Sequence, residues 1–102
     1  MKEAALDLQI RKHVLARRGY HKKIHGGEFQ SFAPDHYIGY KGHFIALEAK
    51  AVNGVLSGGQ KRELRLIQAA GNIAEVCYDA NLVDRIFDCI DSGATWVNGD
   101  YV

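Results

Sequence analysis

The sequence predicts a mixed α/β fold in which a small mixed β-sheet with a central hairpin is flanked by helices. Three observations carry this. Leu6, Ile10 and Val14 repeat at helical spacing near the start. Two runs rich in aromatic and β-branched residues, Pro34 to Tyr40 and His43 to Lys50, are separated only by Lys41-Gly42, which reads as a hairpin. Ser57 and Gln60 then form a capping box that opens a further helix. A chain of 102 residues is read as one domain, since that length buries roughly two-thirds of its unfolded surface. Its core is expected over about residues 3–78, with a C-terminal helix and tail over 79–102.

The first helix is expected from about Lys2 to Arg18, closed by Gly19, with Glu3 on the apolar stripe one turn before the first buried residue. That acid either complements the helix dipole or faces inward for a purpose. Tyr20 to Ile24 reads as a short strand, and His25-Gly26-Gly27 starts a loop reaching to about Ala33. After the hairpin, Asn53-Gly54 marks a second turn. The capped helix runs to about Ala70 and is stopped by Gly71. Ile73 to Tyr78 reads as another strand, and Asn81 to Ile90 as a third helix whose stripe is Val83, Ile86, Phe87 and Ile90. In the tail, Asn98-Gly99 between apolar residues allows a tiny hairpin. The tail either packs on its own core or contacts a dimer partner.

No segment is long or apolar enough to span a bilayer, and the start lacks the apolar run of a secretory signal, so the cytoplasm is expected, or the host cytoplasm if the chain is phage-encoded. Cys77 and Cys89 lack paired spacing for zinc or redox chemistry and read as buried thiols. The net charge is only +1, but it is polarised. Arg11, Lys12, Arg17, Arg18, Lys22 and Lys23 occur with no acid among them, whereas Glu75, Asp79, Asp84, Asp88, Asp91 and Asp100 are opposed by Arg85 alone. Such polarity orients an anionic polymer along one side of a molecule; the plainer reading is a solvated helix face.

If Tyr40 faces His43 across the hairpin, Ile38 meets Ile45 and Asp35 meets Glu48. Facing Cβ atoms lie roughly 5 Å apart, where like charges are destabilising, so the two carboxylates call for a cation. Alternation puts Phe44, Ala46, Glu48 and Lys50 on one face, which begins apolar and ends charged, as in a strand leaving the core for a cleft. The alternative is that these are ordinary surface residues at strand ends, with Lys50 and Glu48 a solvated pair of little consequence.

The succession of a helix bearing Glu3, Pro34-Asp35, Glu48-Ala49-Lys50, the Ser57-x-x-Gln60 step and a strand resembles the PD-(D/E)xK nuclease superfamily and, more narrowly, its virus-type replication-repair nuclease (VRR-NUC) branch. The resemblance covers Glu3 to about Tyr78. It departs at Phe32, where the family usually has Gly two residues before the Pro, and at His36, where Arg often follows the Asp. It implies a restriction-endonuclease-like core and a metal-dependent DNA endonuclease using magnesium or manganese. The implied catalytic residues are Glu3, Asp35, Glu48, Lys50 and Gln60. Asp35, Glu48 and the Ala49 carbonyl would be direct ligands, with Glu3 acting through water or on a second ion. Arg17, Arg18, Lys22, Lys23, Lys61, Arg62 and Arg65 would contact phosphates, which place a duplex without reading its sequence. Structure selectivity toward branched DNA such as Holliday junctions, by a homodimer with two sites, is the implied activity. Two other classes remain open: a non-catalytic DNA-binding module keeping the nuclease fold, and a small metal-binding regulator using His21, His25, His36 and His43.

Overall fold

Period-two patterning around Lys41-Gly42 sets the centre of the molecule. A computed structural model describes residues 2–25 and 32–102. Its elements are α1 (Glu3–Ala16), β1 (Tyr20–Lys23), β2 (His36–Tyr40), β3 (His43–Ala49), α2 (Gly58–Ala69), β4 (Ile73–Cys77) and α3 (Asn81–Asp91). The expected Gly26-Gly27 loop lies outside the described residues.

The strands form one sheet in the order β1-β2-β3-β4. The first three are antiparallel neighbours, and β4 lies parallel to β3. Parallel neighbours need a crossover, and α2 supplies it. The sheet is therefore mixed and flanked by helices, a restriction-endonuclease-like arrangement. The hairpin pairs Tyr40 with His43, Ile38 with Ile45 and His36 with Leu47, so the expected register holds. Lys41 and Gly42 both take positive φ, at 46° and 83°, as the two-residue turn that matches strand twist requires.

Each face of the sheet has its own apolar cluster. Leu6, Ile10 and Val14 of α1 and Val83, Ile86 and Phe87 of α3 pack on Ile38, Tyr40, Ile45, Leu47 and Ala49. On the other face, Leu64 of α2 meets Ala46 and Ala74, flanked by Tyr37, Leu56, Ile67 and Tyr101. That explains why Ile45 to Ala49 are buried without alternation: this stretch of β3 is covered on both sides, while His43 and Phe44 extend past the cover. The Tyr40 ring stacks on Phe87 at 3.7 Å between centroids, fastening the hairpin to α3.

Helix α1 stops earlier than Gly19 suggests. The amide of Gly19 bonds to the Val14 carbonyl and that of Arg18 to the Leu15 carbonyl, a Schellman closure with Arg18 at φ 62°. Gly19 is required for room instead: a Cβ there would lie 2.8 Å from Val14 Cγ1 and 3.1 Å from the Phe87 ring.

The tail makes no hairpin. It runs beside the outer edge of β4, where Asn98 Oδ1 accepts from the Ala74 amide and the Tyr101 hydroxyl accepts from the Val76 amide. Buried Glu75 receives the Trp96 indole N–H at 2.6 Å, the Gly99 amide and the Tyr101 hydroxyl. Side chains thus satisfy an edge that would otherwise be open for pairing. Cys77 is buried, and burial pushes its thiol up to about 12, which keeps it protonated and inert. Cys89 is only half-buried, because it sits near the end of α3 and off its apolar stripe.

Candidate active site

The β2–β3 ladder ends at His36–Leu47, and Asp35, in the bend just before β2, lies within hydrogen-bond reach of Glu48 at that end. Each acid is held separately. Asp35 Oδ2 accepts the Ala49 amide at 3.0 Å, and Glu48 Oε1 accepts the Gln60 side-chain amide at 3.0 Å. Glu48 is 3% exposed. Burial, followed by the charge of Asp35 and a hydrogen bond to it, pushes the Glu48 carboxyl up to about 8. Lys50 opposes this shift and Glu3 adds to it, so both charges are felt at the pair.

Gln60 reaches Glu48 because of how α2 begins. Its Oε1 accepts the Ser57 amide at 2.9 Å, and the Ser57 hydroxyl accepts the Gln60 amide at 3.1 Å, completing the capping box. The carbonyl end of the side chain caps the helix while the amino end serves the carboxylate. Gly59 beside it has a steric reason, since a Cβ there would come within 2.6 Å of the Phe32 ring. Phe32 holds φ 69°, a left-handed conformation that favours glycine, at the position where the resembled family usually has one.

Glu3 is exposed at the first turn of α1. Among the described residues no three His, Cys, Asp or Glu side chains converge to hold a metal ion, and Glu3 bears on the pair through its charge. The side-chain oxygens available at the centre are those of Asp35 and Glu48, with the neighbouring main chain beside them.

A second network was not read from the sequence. Fully buried His36 contacts Asp7 Oδ1 through Nε2 and His21 Nε2 through Nδ1, both at 2.7 Å. Burial and the adjacent His36 lower His21 to about 4, and burial lowers His36 against the pull of Asp7. With both rings neutral, the tautomers that satisfy the contacts put a proton on His36 Nε2 and on His21 Nε2. Asp7 also lies 3.9 Å from Lys23 Nζ, which is 3.6 Å from Asp35 Oδ1. Asp7 follows Glu3 by one helical turn, the spacing that flags a shared helix face. Of the four histidines weighed for metal binding, His21 and His36 meet. His25 is exposed beyond β1, and His43 opens β3 at the far end of the hairpin, so the set is not gathered.

The expected phosphate contacts are placed unevenly. Arg17 turns into the fold, with Asp88 at 2.9 Å, Asp91 at 3.0 Å and Asp84 at 3.5 Å, and its guanidinium lies over the Phe87 ring. The acid-rich third helix thus has a structural partner in α1. Lys23 faces Asp7 and Asp35, and Arg65 donates to the Tyr101 carbonyl at 2.8 Å. Arg18, Lys22 and Arg62 are exposed and Lys61 is half-buried. Lys61 and Arg62 directly follow Gln60 on α2.

No family model and no curated protein matches this chain. Among solved structures it is similar to a VRR_NUC domain, at 23% identity and a TM-score of 0.71, over 84% of this chain and 94% of that one. It is also similar to Hjc of Archaeoglobus fulgidus, a Holliday junction resolvase from an archaeal hyperthermophile. There the identity is 17% and the TM-score 0.59, over 74% of this chain and 67% of the other. No helix of the described residues is long and apolar enough to cross a membrane. At these identities the likeness is one of architecture, and the chain has the restriction-endonuclease-like fold of a VRR_NUC domain.

Proposed function

We propose that this protein is a divalent-metal-dependent DNA endonuclease that hydrolyses phosphodiester bonds in branched DNA. The observation that carries the reading is the Asp35–Glu48 pair: two adjoining carboxyls, one buried and pushed up to about 8, with an ammonium-bearing Lys50 next in line. Mutual repulsion of this kind is relieved by a cation between the acids. Hard oxygen donors suit magnesium or manganese, and a site of two carboxylates and a carbonyl leaves room for water and phosphate oxygens. Asp35, Glu48 and the Ala49 carbonyl would hold the ion, with Glu3 acting through water. When bound, such an ion supplies charge stabilisation for the phosphate and lowers the pKa of water.

The chain's own groups account for the rest. The Ala49 amide fixes the direction of Asp35, and Gln60 fixes Glu48, so neither carboxylate needs to reorganise as charge develops. Lys50 orients the attacking water or stabilises the negative charge of the transition state. Water adds to phosphorus as the bond to the leaving oxygen breaks, leaving one phosphate monoester and one hydroxyl. Arg18, Lys22, Lys61 and Arg62 contact phosphates, with Lys23 nearest the centre. A homodimer would present two such centres to the strands of a four-way junction, which fits the activity named for the Hjc structure.

Cleavage of labelled four-way junction, flap and linear duplex with magnesium, manganese or chelator tests the reading. Cutting is expected with either metal, greatest on the junction, and absent in chelator and in Lys50→Ala. Cutting that survives both chelation and this substitution refutes the mechanism. Binding without cutting under every metal condition identifies a non-catalytic DNA-binding module.

A further inference from the structure

The sheet face that carries the carboxylates continues beyond the cover of α2. Cross-strand partners point to the same side, so the rows on this face can be followed outward from Asp35–Glu48. The next row is Lys22–Tyr37–Ala46, and the one after is Tyr20–Gly39–Phe44. Tyr20 is 64% exposed and Phe44 36% exposed. With strands about 4.8 Å apart, the two aromatic roots stand roughly 10 Å apart across a residue with no side chain. A Cβ on Gly39 would sit 3.5 Å from Tyr20 Cβ and close that gap. Tyr37 meets Phe44 edge-on at 5.2 Å between centroids and walls the notch on the side of the carboxylates. Together these residues line a cleft of about 510 Å³.

We propose that this notch is a subsite for an unstacked nucleobase of single-stranded DNA about four nucleotides from the bond to be cut. The proposal rests on the nuclease reading above and extends it to a part of the substrate. Two aromatic faces flanking a glycine gap accept any flat ring, and base–aromatic stacking is indifferent to sequence. The surroundings suit a phosphate backbone: Lys22 stands on the rim with His43, no acidic side chain of the described residues lines the cleft, and Lys41 at the hairpin tip is paired with Asp91. A second copy docked on the cleft about a twofold axis would bring the Lys22 rims together, with no acidic side chain of the described residues in the cleft lining to answer them. Four residues along the strands separate the notch from the carboxylates, roughly 13 Å. At 3.4 Å per nucleotide of a strand that is about four nucleotides.

The test is fluorescence-anisotropy binding of a labelled oligothymidylate to the full chain in chelator, where nothing is cut. Tyr20→Ala is expected to weaken binding about tenfold, and Tyr20→Phe, which keeps the ring, to stay within about twofold of the parent. Lys22→Gln should reduce the salt dependence by about one phosphate contact. Tyr20 is exposed, so unchanged melting of its variants shows that the fold is intact. Equal binding by Tyr20→Ala and the parent, or no binding by the parent, overturns the notch. So does a parent dimer that Tyr20→Ala converts to monomers, since the face would then be an interface between copies. Binding that depends on Tyr20 while no metal supports cutting upholds the notch and defeats the nuclease reading alone.

Discussion

Glu48→Gln is the substitution that isolates the electrostatics of the carboxylate pair. Glutamine keeps an oxygen for the Gln60 amide and gains an N–H toward Asp35, so it copies the protonated glutamic acid. The wild-type carboxyl rises from 4.5 to about 8 on folding. Between those values the folded state binds a proton that the unfolded chain releases, so stability falls as pH rises through the window. At 1.36 kcal/mol per unit the ceiling is ~5 kcal/mol at pH 8 and above, vanishing below about pH 4. Relaxation and water entry bring the effect below this ceiling, to a few kcal/mol. One kcal/mol moves the melting temperature of a domain this size by about 4–8 °C. Thermal unfolding followed by circular dichroism in chelator should therefore show Glu48→Gln melting about 10 °C or more above wild type at pH 8.5, and the two converging near pH 4.5. Magnesium at pH 8.5 should raise the wild-type melting temperature and leave the variant's almost unchanged, because the variant has lost a ligand charge. A difference between the two proteins that does not vary with pH would show that Glu48 ionises normally, and the argument for a cation would lose its basis.

Three further substitutions probe the helix cap and the anchoring of the tail. Ser57→Ala removes one capping bond and should cost about 1 kcal/mol in chemical denaturation. Gln60→Ala should cost a similar amount and, unlike Ser57→Ala, lower metal-dependent cutting severalfold, because Glu48 loses its donor; equal effects of the two on cutting would reduce Gln60 to a cap. Glu75→Ala strips the acceptor from Trp96, Gly99 and Tyr101 and should destabilise by about 2–4 kcal/mol, with increased aggregation at the exposed β4 edge, read by denaturation and light scattering. A loss below about 1 kcal/mol would mean that the tail is not anchored there.

The pairing of Asp35 with Glu48, the buried stripe of α1 and the capped start of α2 are all legible in the chain. Each depends on residues close in sequence: a two-residue turn, a period of two or 3.6, and a cap three residues from its partner. A hairpin turn fixes register, and register then fixes which side chains face each other. The destinations of Arg17, His36 and Glu75 were not legible. Arg17 finds acids 67 or more residues away, His36 meets an aspartate 29 residues back, and Glu75 collects donors from the tail. No periodicity relates those positions, because they are set by how α1, α3 and the tail settle against the finished sheet. The sequence read Arg17 and Lys23 as cations available to DNA, since charge composition carries no information about partners brought in by packing. It read Glu3 as the acid of the first helix, yet Asp7, one turn on, is the acid that the fold links to Asp35 through Lys23. Local patterning suffices to build the carboxylate pair, and long-range packing assigns the charges around it.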